Sequence, residues 1–178
     1  MLSYITDYFE NGSLAGLLCD ERAMRRAGFA SYLVGLMTLF ISLKLQDMAA
    51  GSLFSFAFFF SLILLLNYME SALVSLFMDM MGHKGSPSSL FYLYGISELG
   101  WLLALPAALL SKTANFSFGL AMFGIFTLIF FLRLKMIKTI YSVRYKMAFI
   151  SFLAPYAVTY FLSLAGFIYL MYWIISLV

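Results

Sequence analysis

Two acidic residues, Glu70 and Glu98, lie inside long apolar runs of this 178-residue chain. An ionisable side chain in hydrocarbon is costly unless it is paired, hydrated or neutralised, so such residues mark a polar site. Glu70 stands 14 residues before Lys84 and Glu98 stands 14 after it. An antiparallel helical hairpin turning at Lys84 therefore brings both to one depth, about 20 Å along the helices from the turn. Two carboxylates meeting in low dielectric cannot both ionise cheaply; one holds a proton, or a cation sits between them. Proton-coupled movement or cation binding uses such a pair. Asn67, Ser71, Ser75, Asp79 and His83 follow one another at intervals of four beside Glu70. A band of that period drifts about 40° per step around a helix, so it marks a helix buried in protein or lining a wet cavity. Three readings stay open for it: interhelical hydrogen-bond glue, a proton or ion route, and a polar groove for a lipid headgroup.

Other chemistries find little support. Asp79 and His83 stand one helical turn apart, but one His and one carboxylate fall short of the three or four ligands of a zinc site, so an interfacial ion pair is expected and no metal. The segment Gly82-His83-Lys84-Gly85-Ser86 lacks the spacing of a phosphate-binding loop, and there is no His-Glu-x-x-His or Gly-x-Ser-x-Gly. No enzymatic activity and no cofactor are expected. Cys19 follows two leucines rather than the small residues of a lipoprotein cleavage site, so the N-terminus is expected to persist. A single cysteine makes no intramolecular disulfide.

The elements that must position these residues follow from composition. Hydrophobic residues make up 64% of the chain and charged residues 11%, with 20 Phe, 12 Tyr and 12 Met. Mean hydropathy is +0.98. Soluble domains are roughly 45–50% apolar and 25% charged, so the expected solvent is lipid and a soluble catalytic module is excluded. The fold class expected is an all-α integral membrane protein, a bundle of five transmembrane helices preceded by interfacial N-terminal helices.

Residues 1–26 are the interfacial segment, holding Asp7, Glu10, Asp20, Glu21, Arg22, Arg25 and Arg26, with Asn11-Gly12 as a break and Ser13 as an N-cap. Residues 27–178 hold the five spans. The first, Ala27 to Leu45, continues a stripe of Ala23, Ala27, Ser31 and Gly35 that lets another helix approach closely. The second, Leu53 to Met81, exceeds the ~30 Å hydrocarbon core and must tilt or project. Gly82 to Pro87 breaks it, with Pro87 suited to a first helical turn. The third, Ser89 to Leu110, carries Pro106, which frees a backbone carbonyl. The fourth begins near Phe116 and passes after Leu132 into a basic stretch, and the fifth runs from Met147 to Val178 with Pro155 and Gly166 inside it.

Lys and Arg orient the bundle. Arg22, Arg25, Arg26, Lys84, Arg133, Lys135, Lys138, Arg144 and Lys146 fall on one side and only Lys44 and Lys112 on the other. The N-terminus is expected in the cytoplasm and the C-terminus outside. Within the basic stretch, Arg133, Lys135, Lys138, Arg144 and Lys146 are expected to contact anionic headgroups or a cytoplasmic partner, not nucleic acid.

The hairpin also carries a resemblance. Met80-Met81-Gly82-His83-Lys84-Gly85-Ser86, closing a long second span and followed by Leu90, Tyr92 and Tyr94, resembles the Gly-Gly-Lys-Gly-Ser turn of the bacterial Yip1-domain family. His83 replaces the second glycine, and Glu98 falls near an expected Tyr-Ser-x-x-Pro-like pattern whose proline comes later, as Pro106. The resemblance implies five spans, an N-terminal cytoplasmic segment and a polar stretch between spans four and five. It also implies a bacterial inner-membrane protein that is a subunit or modulator of a larger membrane assembly, linked to membrane trafficking or lipids. The binding of Rab-type GTPases by eukaryotic Yip1-like proteins, through a long cytoplasmic N-terminus, is not carried over. The partners expected are membrane lipids and a protein partner in the membrane or a second copy of the chain. The alternative is a transporter or channel component that moves a proton, ion or lipid past Asn67, Glu70, Ser71, Ser75 and Glu98.

Overall fold

The computed structural model describes residues 21–49, 51–113 and 116–176, and every element in them is helical. The chain forms α1 (Glu21–Leu45), α2 (Leu53–Met80), α3 (Pro87–Ser97), a 3-10 helix (Glu98–Leu103), α4 (Ala104–Thr113), α5 (Phe118–Tyr141) and α6 (Tyr145–Ser176). Four stretches are long and apolar enough to cross a membrane: α1, α2, the continuous path Pro87–Thr113, and α5. These are the properties of an integral membrane protein. Helix α6, with 32 residues, occupies the place of the fifth expected run. The interfacial helices expected before residue 21 lie outside the described residues. Glu21 to Arg26, grouped with them by charge, form the opening turns of α1 instead, with Arg25 paired to Glu21 one turn earlier at 2.5 Å.

Lipid as solvent inverts the usual helix. Helix α2 buries Asn67, Glu70, Ser71, Val74, Ser75 and Met78 while Phe54, Phe58, Leu62, Leu65 and Leu66 face outward. A polar stripe inward and phenylalanines outward is stable only where the surroundings are apolar. Helix α3 is the centre of the bundle: Leu90, Leu93, Tyr94, Gly95, Ile96 and Ser97 are all buried, and α1, α2 and α5 pack around it.

The small-residue stripe of α1 is used within the chain. Ala27, Gly28, Ser31 and Gly35 are buried. A Cβ at Gly28 would strike the backbone carbonyl of Tyr92, and one at Gly35 the backbone carbonyl of Glu98. Gly95 meets α1 in return, facing the Gly28 carbonyl and the Tyr32 ring, and Tyr32 donates its hydroxyl to the Phe91 carbonyl at 2.9 Å. Within the chain this stripe is covered by α3 at Gly28 and by the 3-10 helix at Gly35.

The hairpin ends as its residues demand. Gly82 has φ 83°, the left-handed position that closes a helix. The His83 N–H donates to the Met78 carbonyl and the Gly82 N–H to the Asp79 carbonyl, the paired bonds of a Schellman cap. Ser86 then caps α3, accepting from the Ser89 N–H, with Pro87 in the first turn. Gly85 is close against the Tyr141 ring, which fixes the hairpin onto the end of α5. Pro106 acts one turn early: its ring opposes the carbonyl of residue 102, and the six residues Glu98–Leu103 wind as a 3-10 helix.

Gly35→Val is expected to lower stability in detergent by about 3 kcal/mol, the upper end of overpacking costs, because the clash is with backbone. Gly124→Ala, where nothing lies within 4 Å of the new Cβ, is expected to leave the thermal unfolding midpoint at or above that of the parent.

Candidate functional site

Helix spacing places an ionic cluster in one layer of the bundle. Counting at 1.5 Å per residue, Glu70 lies about 15 Å from the end of α2, Glu98 about 16 Å into the strand of helix that starts at Pro87, and Arg133 about 12 Å from the end of α5. All three ends adjoin the same side. The carboxylates therefore share a depth, as the hairpin arithmetic implies, but they do not pair with each other. Arg133 stands between them. Its Nη1 donates to Glu70 Oε2 at 3.0 Å and its Nη2 to Glu98 Oε1 at 2.5 Å. The cation that two buried carboxylates require is supplied by the chain itself.

Most of the rest of the guanidinium is also engaged. Nη2 donates to Asn67 Oδ1 at 2.6 Å and Nε to the Ser97 hydroxyl at 3.4 Å. The face of the Tyr94 ring lies 4.7 Å from Cζ, a cation–π contact. Asn67 and Glu70 share a face of α2 because they are three residues apart, and Tyr94 and Ser97 share one on α3 for the same reason. The 3-10 winding does the equivalent for Glu98 and Trp101. Side chains three apart eclipse in a 3-10 helix, and the indole Nε1 donates to Glu98 Oε2 at 2.6 Å.

The two carboxylates differ in how fully they are satisfied. Glu98 accepts from Arg133, Trp101 and, at 3.3 Å, from Asn67 Nδ2. Glu70 accepts from Arg133 and from the Tyr156 hydroxyl at 2.9 Å, both on Oε2. Its Oε1 is buried and accepts nothing. Two carboxylates and one guanidinium leave the cluster a formal charge of −1.

Beside the cluster is a cavity of about 440 Å³ lined by α1, α2, the 3-10 helix, α5 and α6. Glu70, Glu98 and Arg133 form its polar wall, while Ile63, Leu66, Phe126, Phe130 and Phe152 make most of the rest apolar. Leu66, Phe126, Leu153 and Tyr156 border it and are themselves exposed, so it opens sideways, toward the surface on which α2 and α5 present their phenylalanines. Volume and composition are those of a small-molecule pocket.

Other residues singled out by sequence fall elsewhere. Ser71 donates back to the Tyr68 carbonyl at 2.8 Å and stays within its own helix. Ser75 is buried one turn nearer the hairpin, next to the Tyr141 hydroxyl. Asp79, Gly82, Lys84 and Ser86 are exposed at the hairpin, and His83 and Gly85 are half-buried there. Among the described residues no three His, Cys, Asp or Glu gather as metal ligands. Grouping Arg133 with the headgroup cations is corrected: its side chain is 12% exposed and points into the bundle. Of the other four, Arg144 and Lys146 are exposed, Lys135 is half-buried, and Lys138 places its Nζ 4.1 Å from the centroid of the Tyr145 ring. Trp101, Tyr94, Ser97 and Tyr156 were absent from the expected site. Tyr156 and Ser97 are ordinary residues in apolar runs, and only the three-residue step from Glu98 to Trp101 offered a cue.

No family model, curated protein or solved structure matches the chain, so the chemistry of this site carries the functional reading.

Arg133→Gln leaves two buried carboxylates without their cation and is expected to cost about 3–5 kcal/mol in detergent. The triple variant Glu70→Gln, Glu98→Gln, Arg133→Gln removes the charges together and is expected to recover most of that loss in thermal unfolding. Lys112→Gln, at an exposed position, is the control.

Proposed function

We propose that this chain is a small five-span membrane protein that takes a ligand from the bilayer into the cavity beside Glu70, Glu98 and Arg133, as a carrier or transport component. The observation that supports the reading is the mismatch between the cluster and its surroundings. A bundle held by hydrogen bonds alone is served by neutral Ser and Asn pairs. Here an apolar cavity meets a cluster with one surplus negative charge and a carboxylate oxygen that nothing satisfies. Both features are unfavourable in isolation, and a bound proton, ion or lipid relieves both.

In this reading α6 is the fifth span. With Arg133 inside the bundle, Arg22, Arg25, Arg26, Lys84, Lys135, Lys138, Arg144 and Lys146 still outweigh Lys44 and Lys112, and the N-terminus lies in the cytoplasm of a bacterial inner-membrane protein. The site then sits in the cytoplasmic half of the bilayer. The reading of the chain as an accessory subunit, similar to Yip1-domain proteins, is favoured by one surface: Arg144, Lys146 and Tyr145 remain exposed at the turn between α5 and α6. The small-residue stripe of α1, a second contact surface in that reading, is covered by α3 and the 3-10 helix at Gly28 and Gly35.

Two measurements test these readings. Native mass spectrometry in mild detergent is expected to find a small molecule on the parent protein that Leu66→Trp, which narrows the cavity mouth, no longer holds. A stoichiometric protein and no small molecule would favour the accessory role. Single cysteines placed at Lys84 and Lys112 in a chain lacking Cys19 are expected to label from opposite faces of sealed inner-membrane vesicles, Lys84→Cys from the cytoplasmic face. Labelling from one face removes the five-span arrangement.

A further inference from the structure

We infer that the occupant of the cavity is a long-chain amine carrying one positive charge, its ammonium seated against Glu70 and its chain along the phenylalanine wall. The inference rests on the reading of the cavity as a ligand site and names the class of ligand.

Charge complementarity selects it. Arg133 is largely committed: four of its five N–H donors go to Glu70, Glu98, Asn67 and Ser97, and its face lies on Tyr94. An anionic headgroup would have to displace two carboxylates to reach it, and would add charge to a cluster already at −1. A neutral alcohol or ester leaves the surplus charge where it is. A proton or a bare monovalent ion cancels the charge but leaves the apolar cavity of about 440 Å³ empty, whereas an ammonium on an alkyl chain answers both: the head donates to the carboxylate and the chain fills the apolar space. Glu70 is the carboxylate that fits. Its side chain is 10% exposed and lines the cavity, and it accepts from two donors where Glu98 accepts from three; its Oε1 is buried and unpaired, so an ammonium reaches that oxygen as the Tyr156 side chain gives way. Glu98 accepts on both oxygens and is 3% exposed.

The wall agrees with the charge. Trp101, Phe130, Phe152 and Tyr156 line the cavity beside the carboxylates. Aromatic rings are the apolar side chains that also attract a cation. Tyr156 donates to Glu70 from a residue that is itself half-exposed, so it stands between the carboxylate and the opening. Its hydroxyl is the contact that an arriving ammonium replaces or shares. The chain of the amine lies toward Leu66, Phe126 and Leu153, where the cavity meets lipid.

The test compares an amine, an alcohol and a carboxylic acid with the same diazirine-bearing alkyl chain. Each is photo-crosslinked to the full-length protein in lipid nanodiscs, and the labelled peptides are mapped by mass spectrometry. The amine is expected to label the Leu66, Phe126 and Leu153 peptides about tenfold more than the alcohol, the range of one charge-assisted hydrogen bond. The acid is expected to label them least. Glu70→Gln is expected to bring the amine down to the level of the alcohol while Leu66→Trp reduces both. Equal labelling by all three probes, or amine labelling unchanged in Glu70→Gln, overturns the amine and leaves the cavity as a site for some other ligand. If no probe labels the cavity peptides of a protein that melts like the parent, the ligand site itself is lost and the amine with it.

Discussion

A guanidinium held away from water must have its charge answered where it stands, and Arg133 fixes the bundle around that requirement. The two carboxylates that answer it come from α2 and from the 3-10 helix, and Asn67 and Ser97 take two more of its donors. Four backbone segments must therefore hold one depth. Helix α2 packs chiefly on α3 and α6, and α5 on α3, α4 and α6. Between α2 and α5 the side chain of Arg133 makes the link. A long polar side chain spans a distance that two packed helices would not leave, and the space it crosses is the cavity. The ionic cluster and the apolar pocket are two results of one spacing.

The close approach of α1 to α3 gives the cluster a rigid floor. Gly28 and Gly35 let the backbones meet at Tyr92 and at Glu98, and Gly35 lies against the carbonyl of the residue that supplies one of the two charges. Pro106 adds the second restraint. The 3-10 winding before it sets Glu98 and Trp101 in line, so the carboxylate receives the indole as well as the guanidinium. Backbone contact and helix geometry therefore hold the cluster's side chains in place, the arrangement called preorganisation.

Much of this arrangement was legible from spacing. The turn Gly82 to Pro87, the matching depth of Glu70 and Glu98, and the small-residue face of α1 each follow from local rules of capping, rise per residue and close packing. Arg133 was not legible, for a physical reason. Counting cations assigns sides of a membrane, and it treats each Lys or Arg as a surface marker. The count has no term for a cation drawn inward by two acids elsewhere in the chain. The cue lay in continuing α5 to Tyr141, which sets Arg133 eight residues inside the helix end. Tyr156 was hidden more thoroughly, since its role depends on how α6 leans against α2 and no local pattern reports that.

Two buried carboxylates at one depth call for a proton on one of them or a cation between them, and the chain supplies a cation from α5. Arg133 cancels one of two negative charges, and it does so unequally. Glu98 gains donors on both oxygens, whereas Glu70 keeps one buried oxygen unpaired. Had the cluster evolved only to join helices, a second cation or one amide in place of Glu70 would complete it at less electrostatic cost. The asymmetry sets the two acids apart structurally. Glu98, locked between Arg133, Trp101 and Asn67, anchors the guanidinium, and Glu70, tied on one oxygen only, is the less constrained of the two at the cavity wall.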